Sequence, residues 1–155
     1  MKNIITILII LITNIALGQT FNETKDWISS NTKGSEQVLF LKEDNQIYFL
    51  SVRQAGTLLT TFSNNFDPRA VVSISSVKDE NNKYSIKLKF KEGGTIVTKL
   101  MLDKNKNPVG SVDKINMLGW KIYVEADKEM ISRFKKAYIH LFKELGIQLK
   151  DGDIF

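Results

Sequence analysis

The sequence predicts a mainly β domain of the α+β class, with about seven antiparallel strands, a short N-terminal helix and a long C-terminal capping helix. Three observations predict it. From Gln37 to Val124, apolar and polar residues alternate in short runs, which is the period of half-buried strands. Clusters of Gly, Asn and Asp separate these runs as turns. From Asp127 to Gly146 the apolar residues follow a helical period instead.

Residues 1–18 have the pattern of a secretory signal peptide. Lys2 precedes an uncharged, mostly apolar run that ends at Leu17, and Gly18 supplies a small residue before a cut at Gln19. A membrane anchor is the alternative, but a helical span takes about 20 apolar residues and Thr13 interrupts this run. We therefore expect a secreted or periplasmic protein that keeps no transmembrane anchor after cleavage.

Residues 19–155 are expected to form a single globular domain. Their length is that of one domain with a core of its own. The chain has no cysteine, so a disulfide framework is excluded, and export without disulfides suggests a bacterial periplasm or medium. Once Lys2 leaves with the signal, a mild excess of basic side chains remains, which favours anionic partners only weakly.

The elements follow one another in a simple order. The first is a short amphipathic helix from Phe21 to Thr32, with Asn22 as its N-cap and Trp27 on its packed side. Six strands come next, and a seventh is marked by Trp120, Ile122 and Val124. The six are predicted at Gln37–Lys42, Gln46–Arg53, Thr57–Phe62, Ala70–Val77, Lys83–Lys91 and Thr95–Leu102.

Turn residues predict how these strands connect. Glu43–Asn45 joins the first two strands into a hairpin. Ser63–Asn65 and Asp67–Pro68 break the strand pattern after Phe62. Gly93–Gly94 predicts a tight turn of the primed type, which would join the fifth and sixth strands as neighbours. A polar loop is expected from Asp103 to about Asp113.

The closing helix carries signals at both ends. Asp127 is a suitable N-cap, and Gly146 suits the left-handed position after the last turn, where Ile147 would contact Phe142 in a Schellman ending. One face of the helix is apolar and must be covered, with Phe134 near its centre. The apolar residues are Met130, Ile131, Phe134, Ala137, Tyr138, Leu141, Phe142 and Leu145.

Seven meandering strands closed by one helix suit an antiparallel sheet curled into two near-orthogonal layers, with the helix across an open end. This order resembles the pleckstrin-homology-like superfold. A helix-grip fold of the START and Bet v 1 type is the alternative, because it also wraps a sheet around a final helix. The pair of helices that usually follows the first strand of that fold is missing here.

Both ends of the chain carry a second resemblance. The segments Gly18–Thr20, Glu23–Ile28 and Arg133–Leu141 are similar to small secreted proteins of unknown function from flavobacteria and their relatives. The resemblance implies export and a body capped by a helix. Since that family has no established activity, it implies no catalytic residue.

The residues that carry common enzyme chemistry are scarce. With one histidine and no cysteine, a Cys-His dyad, a cysteine zinc site and a multi-histidine metal site are excluded. His140 lies four residues before Glu144, which would orient a general base, but the same spacing is common on helix surfaces. Asp103–Asn107 starts like a calcium loop, yet Pro108 and Lys114 occupy its sixth and twelfth positions. We therefore expect that the protein is not an enzyme and that it binds no metal or cofactor.

The fifth predicted strand places lysines on one face and apolar residues on the other. These lysines form a candidate anion-binding face for a glycan or lipid, and a plain solvated face is the alternative. Aromatic residues do not alternate with the lysines, so a nucleic acid partner is not expected. The face consists of Lys83, Lys87, Lys89, Lys91 and, on the next strand, Lys99.

The sequence therefore favours a non-catalytic binding or interaction module of the bacterial cell envelope or medium. An envelope protein, an anionic glycan or a lipid would be its partner. The alternative is a carrier of a small apolar, lipid-like ligand held between the helix and the sheet. That carrier needs a cavity, and its candidate lining is Trp120, Tyr123, Phe134 and Tyr138.

Overall fold

The protein is described by a computed structural model that covers residues 20–32, 36–41, 46–55, 58–78, 84–103, 105 and 107–153. The predicted signal peptide, the turn at Glu43–Asn45 and Lys83 lie outside these residues. The described part contains helices α1 (Phe21–Asn31) and α2 (Lys128–Glu144) and a short 3-10 helix (Pro68–Ala70). Its strands are β1 (Glu36–Leu41), β2 (Gln46–Ala55), β3 (Leu58–Phe66), β4 (Val71–Lys78), β5 (Tyr84–Phe90), β6 (Thr95–Leu102), β7 (Pro108–Met117), β8 (Gly119–Ala126) and β9 (Lys150–Asp151).

The strands form two separate sheets in the described part of the chain, and the predicted mainly β fold with two helices is confirmed. The first sheet has the order β1-β2-β3-β6-β7 and the second has the order β8-β5-β4-β9. All pairings are antiparallel except that of β4 with β9. Helix α2 packs on β4, β5 and β8 of the second sheet, and α1 contacts α2 and β1.

The chain crosses between the sheets at three corners. The 3-10 helix links β3 to β4, the turn at Gly93 links β5 to β6, and Leu118 links β7 to β8. Backbone hydrogen bonds tie these corners together. The amide of Lys91 donates to the carbonyl of Ala70 at 2.8 Å, and the amide of Phe90 donates to Leu118 at 3.0 Å. Strands that bend from one sheet into another make this kind of junction between two packed sheets.

The predicted hairpin at Gly93–Gly94 is wrong, because β5 and β6 belong to different sheets. The turn itself is present: the amide of Gly94 donates to the carbonyl of Lys91 at 2.9 Å. Gly93 occupies the third position of that turn with φ of 82°, a value typical of a type II turn. The two glycines therefore carry the chain across a corner, and β6 pairs with β3 and β7 instead.

Strand β3 continues through Ser63–Asn65, where the sequence predicted a break. Ser63 and Asn64 are buried, and the strand ends at Phe66 before Asp67 caps the 3-10 helix. Alternation along the strand places Phe62, Asn64 and Phe66 on one face. Three consecutive polar residues suggested a loop, but pairing on both sides of the strand supplies the backbone hydrogen bonds that a loop would lack.

Strand β7 occupies most of the segment that was predicted as a polar loop. It runs antiparallel to β6, and the turn before it is held by Asp103, whose carboxylate accepts from the amides of Asn105 at 2.8 Å and Asn107 at 2.9 Å. Nearly every residue of β7 is exposed, so it shows no apolar side in the sequence. With the two-residue β9, this raises the strand count of the described part from about seven to nine.

Helix α1 begins at Phe21 as expected, but its N-cap is Thr20, two residues before the predicted Asn22. The hydroxyl of Thr20 accepts from the amide of Glu23 at 3.2 Å, and the Glu23 carboxylate accepts from the amide of Thr20 at 2.8 Å. This is a capping box, which satisfies two backbone donors at once. The ring of Trp27 lies 5.2 Å from that of Phe134, so α1 packs on α2 through Trp27, which was expected on its packed side.

The predicted ends of α2 are confirmed. Asp127 accepts from the amide of Met130 at 2.8 Å, and Gly146 adopts φ of 76°. The amides of Gly146 and Ile147 donate to Lys143 and Phe142, each at 2.9 Å, which is the hydrogen-bond pair of a Schellman ending. The apolar face is buried against the second sheet through Ile131, Phe134, Tyr138, Leu141 and Phe142.

A C-terminal strap, residues 150–153, closes the β4 edge of the second sheet. Lys135 of α2 is 11% exposed and forms ion pairs with Asp151 and Asp153. The carboxylate of Asp153, whose side chain is 17% exposed, also accepts from the amide of Ser76 at 2.7 Å and from its hydroxyl at 2.9 Å. The strap thus joins α2 to β4 through charge-assisted hydrogen bonds.

The strap should make stability fall at both extremes of pH. Burial raises the pKa of Asp153, but hydrogen bonds from Lys135 and Ser76 outweigh it and hold that pKa below its usual value. The contribution of the Asp153 carboxylate to stability is present above about pH 4 and is lost as the pH falls through its folded-state pKa. Burial lowers the pKa of Lys135, yet both carboxylates outweigh it and raise the pKa, so this contribution is lost on the alkaline side, above about pH 10.5.

We expect Asp153→Ala to lower the free energy of unfolding by about 1.5–3 kcal/mol at pH 7, because it removes hydrogen bonds from a charged partner. Urea denaturation of both proteins from pH 3 to pH 7 measures the effect. The difference should shrink as the pH falls towards 3, because the wild-type carboxylate is increasingly protonated. Asp26→Asn, at an exposed position of α1, is the control and should change little. An Asp153→Ala effect that stayed constant down to pH 3 would contradict an electrostatic role.

Candidate ligand-binding groove

A cavity of about 320 Å³ lies where β8 leaves the corner and faces the first sheet. Strands β6 and β7 supply most of its floor, and β8 supplies one wall. The lining combines aliphatic, aromatic and basic side chains. The residues are Asn64, Val97, Lys99, Ile115, Met117, Trp120, Lys121 and Tyr123.

Strand register explains why these residues meet. Asn64 lies opposite Lys99, and Val97 lies opposite Ile115, so alternate positions of three neighbouring strands share one face. After the corner at Leu118, β8 runs in the other sheet, and Trp120 turns back towards that face. The ring of Trp120 lies 6.3 Å from Phe66, which anchors it to the core.

A smaller cavity of about 160 Å³ continues along the same face of the first sheet. Lys99 lines both cavities, and its ammonium lies 4.3 Å from the centre of the Phe62 ring. The two cavities are therefore parts of one surface, which we call the groove. The smaller part is lined by Phe62, Lys99, Met101, Val109, Ser111 and Asp113.

The larger part of the groove is positively charged. Lys99 and Lys121 line it, and its described lining contains no carboxylate. The ammonium of Lys121 lies 4.7 Å from the Tyr123 ring, a cation–π contact that leaves it near the rim. Among the described residues neither lysine forms an ion pair, although Asp113 lies opposite Lys99 in register. The charge of both ammonium groups is thus available to an anion.

The groove also leaves apolar surface in contact with water. Ile115 is 53% exposed, and Met101, Val109 and Tyr123 are exposed as well. Single exposed apolar residues are ordinary, but a contiguous group in a concave place is typical of a binding surface. Most of the large exposed hydrophobic residues in the described chain lie on β6, β7, β8 or their junctions.

The structure divides the four residues predicted to line a ligand cavity. Trp120 and Tyr123 line the groove on β8. Phe134 and Tyr138 are fully buried in the core under α2. The structure therefore brings two of the four together, along β8 at the edge of the second sheet.

The predicted anion-binding lysines are also divided. Lys87 and Lys89 are exposed on the outer face of β5, and Lys91 is exposed just beyond it. Lys99 is not on that face, since β6 belongs to the first sheet, and it lies in the groove instead. Lys121 was missed: it lies opposite Lys87 in register and links the outer lysines to the groove. The sequence did contain a signal for Lys121, because this polar residue alternates with the apolar Ile122 on the seventh predicted strand.

His140 lies on α2 and is partly buried. It lines a cleft of about 240 Å³ between the two helices, beside Trp27 and Arg133. The Arg133 guanidinium lies 5.2 Å from the centre of the Trp27 ring. Lys136 and Ala137 complete the described lining of this cleft.

The described residues contain no group of three or more His, Asp or Glu side chains placed to hold a metal ion. None of their helices has the length and apolar character needed to cross a membrane. Comparisons of the chain with protein families, with curated proteins and with solved structures found no match.

Proposed function

We propose that this protein is a non-catalytic binding module of the bacterial cell envelope or medium, and that the groove is its binding surface. One observation carries the proposal. The inner face of the first sheet is core at Phe66 and Val97, yet the same face is open to water at Ile115 and Met101. The second sheet therefore covers only part of an apolar face, and the uncovered part is concave and bordered by lysines.

The energetic argument concerns the uncovered part of this face. Leaving apolar surface in water forgoes roughly 25 cal/mol for each Å² that burial would have removed. A partner that covers Ile115, Met101 and Val109 would recover that free energy. The volume of the larger cavity lies at the lower end of the range of about 300–1,000 Å³ that is common for small-molecule sites. A small ligand or the tip of a larger partner fits this size.

Export and the finer fold class belong to the same proposal. Export rests on the sequence of residues 1–18 and places the module outside the cytoplasm. The pleckstrin-homology-like superfold is favoured over the helix-grip fold, because two sheets meet at corners and α2 packs on only one of them. The carrier alternative rests on Trp120 and Tyr123, which line the groove.

A binding assay with the uncharged dye Nile red tests the groove. We expect the purified domain to bind the dye with micromolar affinity and Ile115→Asp to weaken that binding at least tenfold, because a carboxylate would enter the apolar lining. Val112→Asp is the matched control, since Val112 lies on the same strand, is 52% exposed and lines neither cavity. Equal loss in both variants, or no binding by the wild type, would count against the groove as the binding surface.

A further inference from the structure

We propose that the groove holds a single-chain fatty-acid-type anion, with its carboxylate between Lys99 and Lys121 and its chain on the apolar floor. This inference rests on the proposed function and names the ligand class of the same surface. Three features of the groove support it: the charge of its lining, the position of that charge relative to the apolar residues, and its volume.

The charge selects an anionic head group. Lys99 and Lys121 both line the larger cavity, and no carboxylate is present in its described lining. Their ammonium groups contact aromatic rings, Phe62 and Tyr123, which attract a cation without neutralising it. Next to a partly desolvated apolar floor, two such cations attract an anion more strongly than they would in bulk water. A cationic or uncharged ligand would leave the charges of Lys99 and Lys121 uncompensated.

The arrangement of the lining sets the direction of the ligand. Asp113 lines the smaller cavity on the far side of Lys99, so an anionic head is repelled from that side. On the near side, Val97 and Met117 form an apolar floor beside Trp120. A head group held between the lysines at the rim therefore leaves its chain to lie along this floor. Charge at one end and apolar contact along the length together describe an amphiphile.

The volume limits the ligand to one chain. A cavity of about 320 Å³ is small for a two-chain phospholipid, whose second chain would stay in water. A free single-chain acid buries its chain without that loss. An acidic peptide is the competing class, and it would have to match the apolar floor with its own side chains. The continuous floor of Val97, Ile115 and Met117 favours a simple hydrocarbon chain over such a peptide.

Tryptophan fluorescence gives a direct test, since the chain has two tryptophans and only Trp120 lines the groove. Trp27→Phe leaves Trp120 as the single reporter and keeps an aromatic ring against Phe134. Dodecanoate, dodecyltrimethylammonium and dodecyl maltoside are titrated below their micelle concentrations. We expect a saturable shift of Trp120 emission with dodecanoate and at least tenfold weaker binding of the cation. Trp120→Phe, which keeps Trp27, should show no shift.

Lysine variants in the Trp27→Phe background test the head-group contact. Replacing both Lys99 and Lys121 with Gln should weaken dodecanoate binding at least tenfold and leave dodecyl maltoside binding unchanged. Lys143→Gln, at an exposed position of α2 that lines neither part of the groove, is the control and should bind dodecanoate as before. Equal binding of the three amphiphiles, together with Nile red binding, would overturn this inference and leave the proposed function standing. Loss of Nile red binding as well would overturn both, and a shift with an acidic peptide but not with dodecanoate would replace the amphiphile by a peptide.

Discussion

Phe134→Ala is expected to lower the free energy of unfolding by about 3–5 kcal/mol, which is a large part of the 5–15 kcal/mol typical of a domain. Phe134 is fully buried in the core under α2, and its ring contacts Trp27 of α1. Truncation removes the buried ring and leaves a cavity between two helices and the second sheet. Because α1 packs mainly through this contact region, the variant should also loosen α1.

The matched control is Lys136→Ala, two residues away on the exposed side of the same helix. It should change stability by less than about 0.5 kcal/mol. Urea denaturation followed by circular dichroism measures both, and protease sensitivity near Trp27 reports on α1. Equal, mild effects of the two substitutions would show that α2 does not anchor the core.

Gly94→Ala is expected to have the second large effect, and the reason is a close approach at the corner between β5 and β6. A Cβ on Gly94 would lie 2.5 Å from the carbonyl oxygen of Met117 and 2.9 Å from the Asn116 side chain. The first contact is with backbone, so one of the strands has to move. The positive φ of 79° adds a cost of about 1–2 kcal/mol for any residue with a side chain.

Gly93→Ala separates these two causes. Gly93 has a similar φ of 82°, but a Cβ there would meet nothing within 4 Å. Its substitution should therefore cost only the conformational term, about 1–2 kcal/mol, and Gly94→Ala should cost clearly more. Thermal melts of the two variants give the comparison. If both lowered Tm equally, the contact between Gly94 and β7 would carry no energy of its own.

Local signals in the sequence were sufficient for some elements. Helix α2 was predicted with both caps, because Asp127 and Gly146 act on backbone groups a few residues away. Strand β5 was predicted from strict alternation, since Ile86 and Leu88 are buried while Lys87 between them faces water. In each case the deciding interactions are close in sequence.

The remaining differences come from pairing between distant segments. Strand β7 is exposed along nearly all its length, so its residues carry no burial pattern. Lys99 was assigned to the outer lysine face because β6 was expected to pair with β5, and the corner at Gly93 sends β6 to β3 instead. The difference in the pairing of β6 also affects the groove. Trp120 and Tyr123 were identified as candidates, but their neighbours on β6 and β7 depend on sheet order, which alternation alone does not fix.

The repeated crossing of the chain between its sheets also determines the order in which the fold can form. Hairpins such as β1–β2, β4–β5 and β6–β7 join neighbouring segments and can form early. The pairing of Thr61 with Leu102 and that of Lys89 with Gly119 close much longer loops, and each also requires the corners to be in place. Domains dominated by such non-local pairings fold in milliseconds to seconds. During that time the groove is incomplete, because its floor on β6 and β7 meets its wall on β8 only when the two sheets are joined at the corners, so a ligand binds only after these long-range pairings are complete.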